Sequence, residues 1–86
     1  MNFNYRVGKK VLVSKVDCSN DTYEEDCYGI VECYYNDKGE ITFTTEHFVE
    51  PYGETLEELK SSFEKMKEAF HKPVLDLDSI TYSSDT

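Results

Sequence analysis

The four residues Asn36-Asp37-Lys38-Gly39 constrain the fold of this chain more than any others. They separate two runs that read as strands, Cys27–Tyr35 and Glu40–Phe48. They suit a type I turn followed by a glycine in the left-handed region, a hairpin connection that closes with a G1 bulge. In that geometry Asn36 lies opposite Glu40, so Tyr35 faces Ile41, Cys33 faces Phe43 and Val31 faces Thr45. One face then gathers Val31, Cys33, Tyr35, Ile41 and Phe43. A slip of one residue would set Cys33 against Thr42 and scatter the apolar set, so turn chemistry and hydrophobic pattern specify the same register. The opposite face carries Tyr28, Ile30, Glu32, Tyr34, Thr42, Thr44 and Glu46, polar but rich in aromatic rings.

A helix follows. Thr55 with Glu58 three residues on forms a capping box after the turn residue Gly53. Leu56, Leu59, Phe63, Met66 and Phe70 recur at steps of three and four, one narrow apolar stripe. Glu57 and Glu58 in the first turn and His71 and Lys72 in the last complement the helix dipole. Pro73 disfavours helical geometry at Lys72 and ends the helix there. Val74, Leu75 and Leu77 then form an apolar return segment.

Upstream, Phe3, Tyr5 and Val7 alternate with polar residues, and Lys10–Val16 is rich in β-branched side chains. Together they read as one long bent strand, or two short ones broken at Gly8. Asp17–Asp26 lacks hydrophobic periodicity and reads as an acidic loop. The fold class is therefore α+β: a three-stranded antiparallel sheet, four-stranded if the first strand splits, with one amphipathic helix packed on one face. Residues 1–82 make a single domain and 83–86 a frayed tail.

Charge limits the partners. Eighteen acids against nine bases give a net charge of −9, which repels phosphate backbones and anionic membranes. Direct nucleic-acid binding and membrane association are thus not expected. The start of the chain lacks the apolar run of a signal peptide, so a cytoplasmic location is expected, that of a host if a mobile element encodes it. Cys18, Cys27 and Cys33 are odd in number, and reduced thiols follow for such a compartment.

Several segments carry a family resemblance: Tyr28–Tyr35, the Asn36–Gly39 turn, Val49-Glu50-Pro51-Tyr52-Gly53-Glu54-Thr55-Leu56-Glu57-Glu58-Leu59, and Glu68-Ala69-Phe70-His71-Lys72-Pro73-Val74-Leu75. They resemble a set of small, uncharacterised acidic bacterial proteins with the same hairpin and a "GET-EEL…KPVL" helix. More distantly, Gly53-Glu54-Thr55-Leu56-Glu57-Glu58 is similar to the helix start of the HicB-type antitoxin module, a partial RNase H-like fold of three strands and a helix. That second resemblance implies a protein that neutralises an RNA-cleaving toxin by binding it.

No residue set reads as a catalytic constellation, and neither a cofactor nor a metal is expected. The cysteines are nine and six apart, without the paired spacing of a zinc knuckle. Asp17-Cys18-Ser19-Asn20-Asp21 begins like a calcium loop, but Thr22 stands where a glycine is needed and Tyr28 where the bidentate glutamate belongs. His47 and His71 have no nucleophile pattern beside them. The candidate site is instead a partner-binding surface: Tyr23, Glu24, Glu25 and Asp26 in the acidic loop, with Tyr28, Ile30 and Tyr34 on the sheet face away from the helix. The expected function is a non-enzymatic acidic protein-binding module, antitoxin-like toward a basic protein or self-associating as a homodimer. Two alternatives are a nucleic-acid mimic that inhibits a host nuclease complex, as anti-CRISPR and anti-restriction proteins do, and a small enzyme or metal protein.

Overall fold

The computed structural model describes residues 2–16, 18 and 20–83. Its frame is a long hairpin. β1 (Asn2–Lys15) and β2 (Thr22–Tyr35) are each 14 residues long and pair antiparallel throughout, from Asn2 opposite Tyr35 to Lys15 opposite Thr22. β3 (Ile41–Thr44) lies antiparallel against the end of β2, and β4 (Leu75–Asp76) lies parallel to β1 at Gly8 and Lys9. The sheet order is β3-β2-β1-β4, so the fold is α+β with a mixed sheet. The first strand does not break at Gly8; the fourth strand comes from the return segment after Pro73.

The glycines mark close packing rather than a break. Gly8 and Gly29 face each other across β1 and β2. A Cβ on Gly8 would come within 2.6 Å of the Leu77 side chain, and one on Gly29 would overlap the Phe48 ring. Phe48 and the segment after β4 thus lie on one face of the sheet, the face of Val31, Cys33 and Tyr35. The hydroxyls of Tyr82 and Thr44 share a hydrogen bond of 2.7 Å, and the Ser83 N–H donates to the Ile41 carbonyl at 2.7 Å. Beneath this strap Val31 and Cys33 are wholly buried. Ser83, expected to be frayed, is tied to the sheet; the remainder of the expected tail, 84–86, lies outside the described residues.

The β2–β3 turn forms as its chemistry requires. Gly39 has φ +80°, the Asn36 N–H donates to Glu40 O at 3.0 Å, and Asn36 Oδ1 accepts from the N–H groups of Lys38 and Glu40. Tyr35 faces Ile41 as expected, but the register then jumps, with Tyr34 opposite Phe43 and Cys33 opposite Thr44. Thr42 is the extra residue of this bulge, and its hydroxyl donates to the Tyr34 carbonyl at 3.3 Å. The bulge turns Phe43 away from Cys33 and onto the face of Tyr34 and Phe3, giving ring centroids 5.5 Å (Tyr34–Phe43) and 5.3 Å (Phe3–Tyr34) apart. Aromatic cross-strand packing on that face is the gain that accompanies the shift.

α1 (Leu56–Lys67) begins with the capping box: Thr55 Oγ1 accepts from the Glu58 N–H at 3.1 Å, and Glu58 Oε2 accepts from the Thr55 N–H at 3.3 Å. It tightens into a 3₁₀ turn at Glu68–His71 and stops at Lys72, whose extended backbone (φ −121°, ψ 158°) is what Pro73 imposes. The helix touches the sheet through its C-terminal end, where Met66 and Ala69 are buried and Ile30 lies beside Met66 and Val49. That contact is on the face of Val7 and Ile30, cross-strand partners on the opposite side from Val31. The rest of the apolar stripe stays largely exposed, with Leu56 at 69%, Phe63 at 52% and Phe70 at 72%, the two phenylalanines lining the rim of that contact. The strap that covers Val31 and Cys33 comes from the C-terminal segment, so the helix has only a small apolar area left to cover.

The result is an open molecule. Its radius of gyration is 15.8 Å, where a compact chain of this length has about 12 Å. Its accessible surface is 6605 Å², where a 10.0 kDa monomer exposes about 5,200 Å².

Candidate partner-binding surface

Beyond the reach of β3 and β4, the hairpin continues as a two-stranded arm, Val11–Lys15 against Thr22–Asp26. Half of the segment expected to be an acidic loop, Thr22–Asp26 of Asp17–Asp26, is therefore strand. Its hydrophobic periodicity is missing because both faces of the arm meet solvent, which removes the alternation by which strands are recognised. The tip is closed by the Val16 N–H donating to Asp21 O at 3.0 Å. Cys18 there is exposed, with φ +60°. Asp17 and Ser19 of the calcium-like pattern lie outside the described residues.

Five of the expected site residues come together on the outer part of β2, four on this arm and Tyr28 just below it, opposite Lys9. Tyr23, Glu24, Glu25, Asp26 and Tyr28 are all exposed along one strand. Tyr23 and Glu25 point to one face, Glu24, Asp26 and Tyr28 to the other. The residues opposite the acids are apolar: Glu24 faces Val13, Glu25 faces Leu12 and Asp26 faces Val11. Three consecutive carboxylates thus have no cation directly across the ribbon, and the arm end of β2 is a strongly negative strip. Val13, at 64% exposure, adds apolar surface to it that the sequence pattern did not single out.

The backbone of this strip is open as well. Ile30 and Glu32 turn their carbonyls outward, accepting from the Val49 N–H at 2.8 Å and the Thr45 N–H at 3.0 Å. By the two-residue alternation of a strand, Tyr28, Asp26 and Glu24 present the next outward N–H and C=O groups. No described strand lies against them. The other edge of the arm is partly closed, since Leu77 donates its N–H to Lys9 O at 2.9 Å and the Val11 N–H donates to Asp78 Oδ2 at 2.8 Å. An unpaired strand edge flanked by carboxylates can accept an extended basic segment by strand addition.

Ile30 and Tyr34 belong to the body instead. Ile30 is half-buried and lines a crevice with Val49, Pro51 and Met66, because the helix ends on the face expected to be free of it. Tyr34 is half-buried in the aromatic cluster; its hydroxyl donates to Glu32 Oε1 at 3.0 Å, and this hydrogen bond to a carboxylate raises its pKa.

The remaining reactive groups are spoken for or scattered. Burial pushes the Cys33 thiol up, outweighing the nearby Tyr35 hydroxyl and Arg6 guanidinium, so the thiol stays protonated and inert at neutral pH. Arg6 ties two layers together, donating from Nη1 to the Tyr35 hydroxyl at 3.0 Å and from Nη2 to the Pro73 carbonyl at 2.7 Å. The Tyr35 hydroxyl in turn donates to Asn4 Oδ1 at 2.9 Å. Among the described residues, no three His, Cys, Asp or Glu side chains gather as a metal site, and no described helix is long and apolar enough to cross a membrane. No protein-family model, no curated protein and no solved structure matches this chain.

Proposed function

We propose that this chain is a non-enzymatic, acidic protein-binding module that takes a basic partner on the arm of β2, with Tyr23, Glu24, Glu25, Asp26 and Tyr28 as its contact residues. The observation that supports it most is the coincidence, on six residues of one strand, of an open backbone edge, three carboxylates without cross-strand cations and two exposed tyrosines. Main-chain pairing would supply affinity, and the carboxylates on both faces would select for lysine and arginine. An antitoxin-like role, masking a basic toxin, is the sharpest version of this reading. The nucleic-acid-mimic alternative draws less support. Glu40 lies in the turn at one end of β2 and Asp21–Asp26 at the other, so the carboxylates do not form one phosphate-like array.

The test is affinity capture from extract of the producing cell with the parent chain and with a Glu24→Lys/Glu25→Lys/Asp26→Lys variant, read by quantitative mass spectrometry. The parent should retain a basic protein that the variant loses by about a hundredfold or more, and raised salt should weaken the capture. The same proteins retained equally by both chains would remove the arm from consideration.

A further inference from the structure

We propose that a second copy of this chain covers the exposed stripe of α1, the two helices packing antiparallel about a two-fold axis near Ser62. This inference concerns a different surface from the arm and stands whether or not the arm binds a basic partner.

The first ground is area. The chain exposes 6605 Å², about 1,400 Å² more than a monomer of its mass should. Part of this excess lies on the arm, both faces of which meet solvent, and part on the helix, where a second copy can hide it. The second ground is where the apolar part of that surface lies. Leu56, Leu59 and Phe63 of α1 are three and four residues apart, and Phe70 in the 3₁₀ turn continues their stripe past Met66, which the sheet buries; the fold leaves these four exposed. Exposing that much aliphatic and aromatic surface in one stripe is unusual for a chain that works alone.

The third ground identifies the occupant. A groove beside the stripe is lined by Pro51, Leu59, Phe63 and one charge of each sign, Lys60 and Glu64, four residues apart. Its best-matched partner is apolar and carries the same two charges in reverse order. An antiparallel copy of this helix does so: with the axis near Ser62, Lys60 of each chain meets Glu64 of the other, and the contact repeats itself by symmetry. Glu64 already holds Lys67 of its own chain at 3.7 Å, which keeps its carboxylate at the edge of the seam. The arm of β2 offers no such self-match, since Glu24, Glu25 and Asp26 would repel their own copies.

Sedimentation equilibrium of the full chain decides this. The parent should sediment at twice its monomer mass at micromolar concentration. Phe63→Glu places a charge in the seam and should raise the dissociation constant by about a hundredfold or more. Lys60→Glu and Glu64→Lys should each weaken pairing by about tenfold, and an equimolar mixture of the two should recover it, because opposite charges then meet across the axis. The charge variants touch only exposed side chains, so they give the answer even if Phe63→Glu does not fold. A parent chain that stays monomeric, a Phe63→Glu chain that still dimerises, or a mixture that associates no better than its components would each overturn the proposal.

Discussion

Gly29→Ala should lower the stability of this chain by about 3 kcal/mol, close to the upper end of what one added methyl costs in a packed site. The reason is the Phe48 ring, which lies where the new Cβ would stand. A phenyl ring cannot bend aside as the end of an aliphatic chain can, so it must leave the sheet. Its departure also strips the Lys10 ammonium of the ring it sits over, 5.5 Å from the centroid, and strains the Lys10 bond to the Glu46 carbonyl. Gly8→Ala is the matched comparison. Its Cβ would meet the tip of Leu77, a flexible side chain, and the cost should be about 1 kcal/mol. Urea unfolding followed by far-ultraviolet circular dichroism measures both. Equal costs at the two positions would mean that Phe48 is not seated over Gly29. For a chain whose total stability is about 4–13 kcal/mol, the larger loss is enough to populate the unfolded state appreciably.

Ending the chain after Asp78 should be comparably damaging, at about 2–4 kcal/mol, through lost apolar burial and two lost hydrogen bonds. The truncation removes Ile80, Tyr82 and Ser83, and with them the Tyr82–Thr44 hydroxyl pair and the bond from Ser83 to Ile41. These groups are part of the strap over Val31 and Cys33. A thiol reagent gives a second readout. In the parent chain Cys33 is buried and its thiol held protonated, so it should react orders of magnitude more slowly than exposed Cys18. In the truncated chain Cys33 should become reactive under native conditions. A Cys33 that remains as protected as before would show that the strap does not seal the core.

The parts of this fold that were legible in the sequence are those fixed by local chemistry. The Asn36–Gly39 turn, the Tyr35–Ile41 pair, the Thr55–Glu58 capping box and the stop before Pro73 each depend on a few neighbouring residues, and each formed as read. What was not legible depended on distant neighbours. The bulge at Thr42 is favoured by Phe3 packing on Tyr34, a contact between strand ends 31 residues apart in sequence. The exchange of faces follows from the C-terminal strap, whose residues Leu77, Ile80 and Tyr82 show no pattern of their own that marks them as a cover. Amphipathicity named the apolar stripe of α1 correctly but could not say what it packs against; a stripe that meets its own sheet and one that meets another molecule have the same spacing.

The candidate surface was half legible for a related reason. Tyr23–Asp26 stood out by composition, yet they read as a loop because a ribbon wet on both faces has no burial period. Their placement on a strand is what changes the chemistry available to them. A loop offers side chains alone, whereas an unpaired edge adds N–H and C=O groups at fixed spacing along Glu24, Asp26 and Tyr28.

The most direct test of that claim is an amide chemical-shift titration of the full chain with a lysine-rich decapeptide able to run extended. Strand addition should move the amides of Glu24, Asp26 and Tyr28 together and slow their exchange with solvent, with little change at Glu57 and Glu58, the other adjacent acids of an exposed segment. Shifts of equal size at both places, without slowed exchange along β2, would mean that the peptide senses only negative charge and that the arm is not a binding edge.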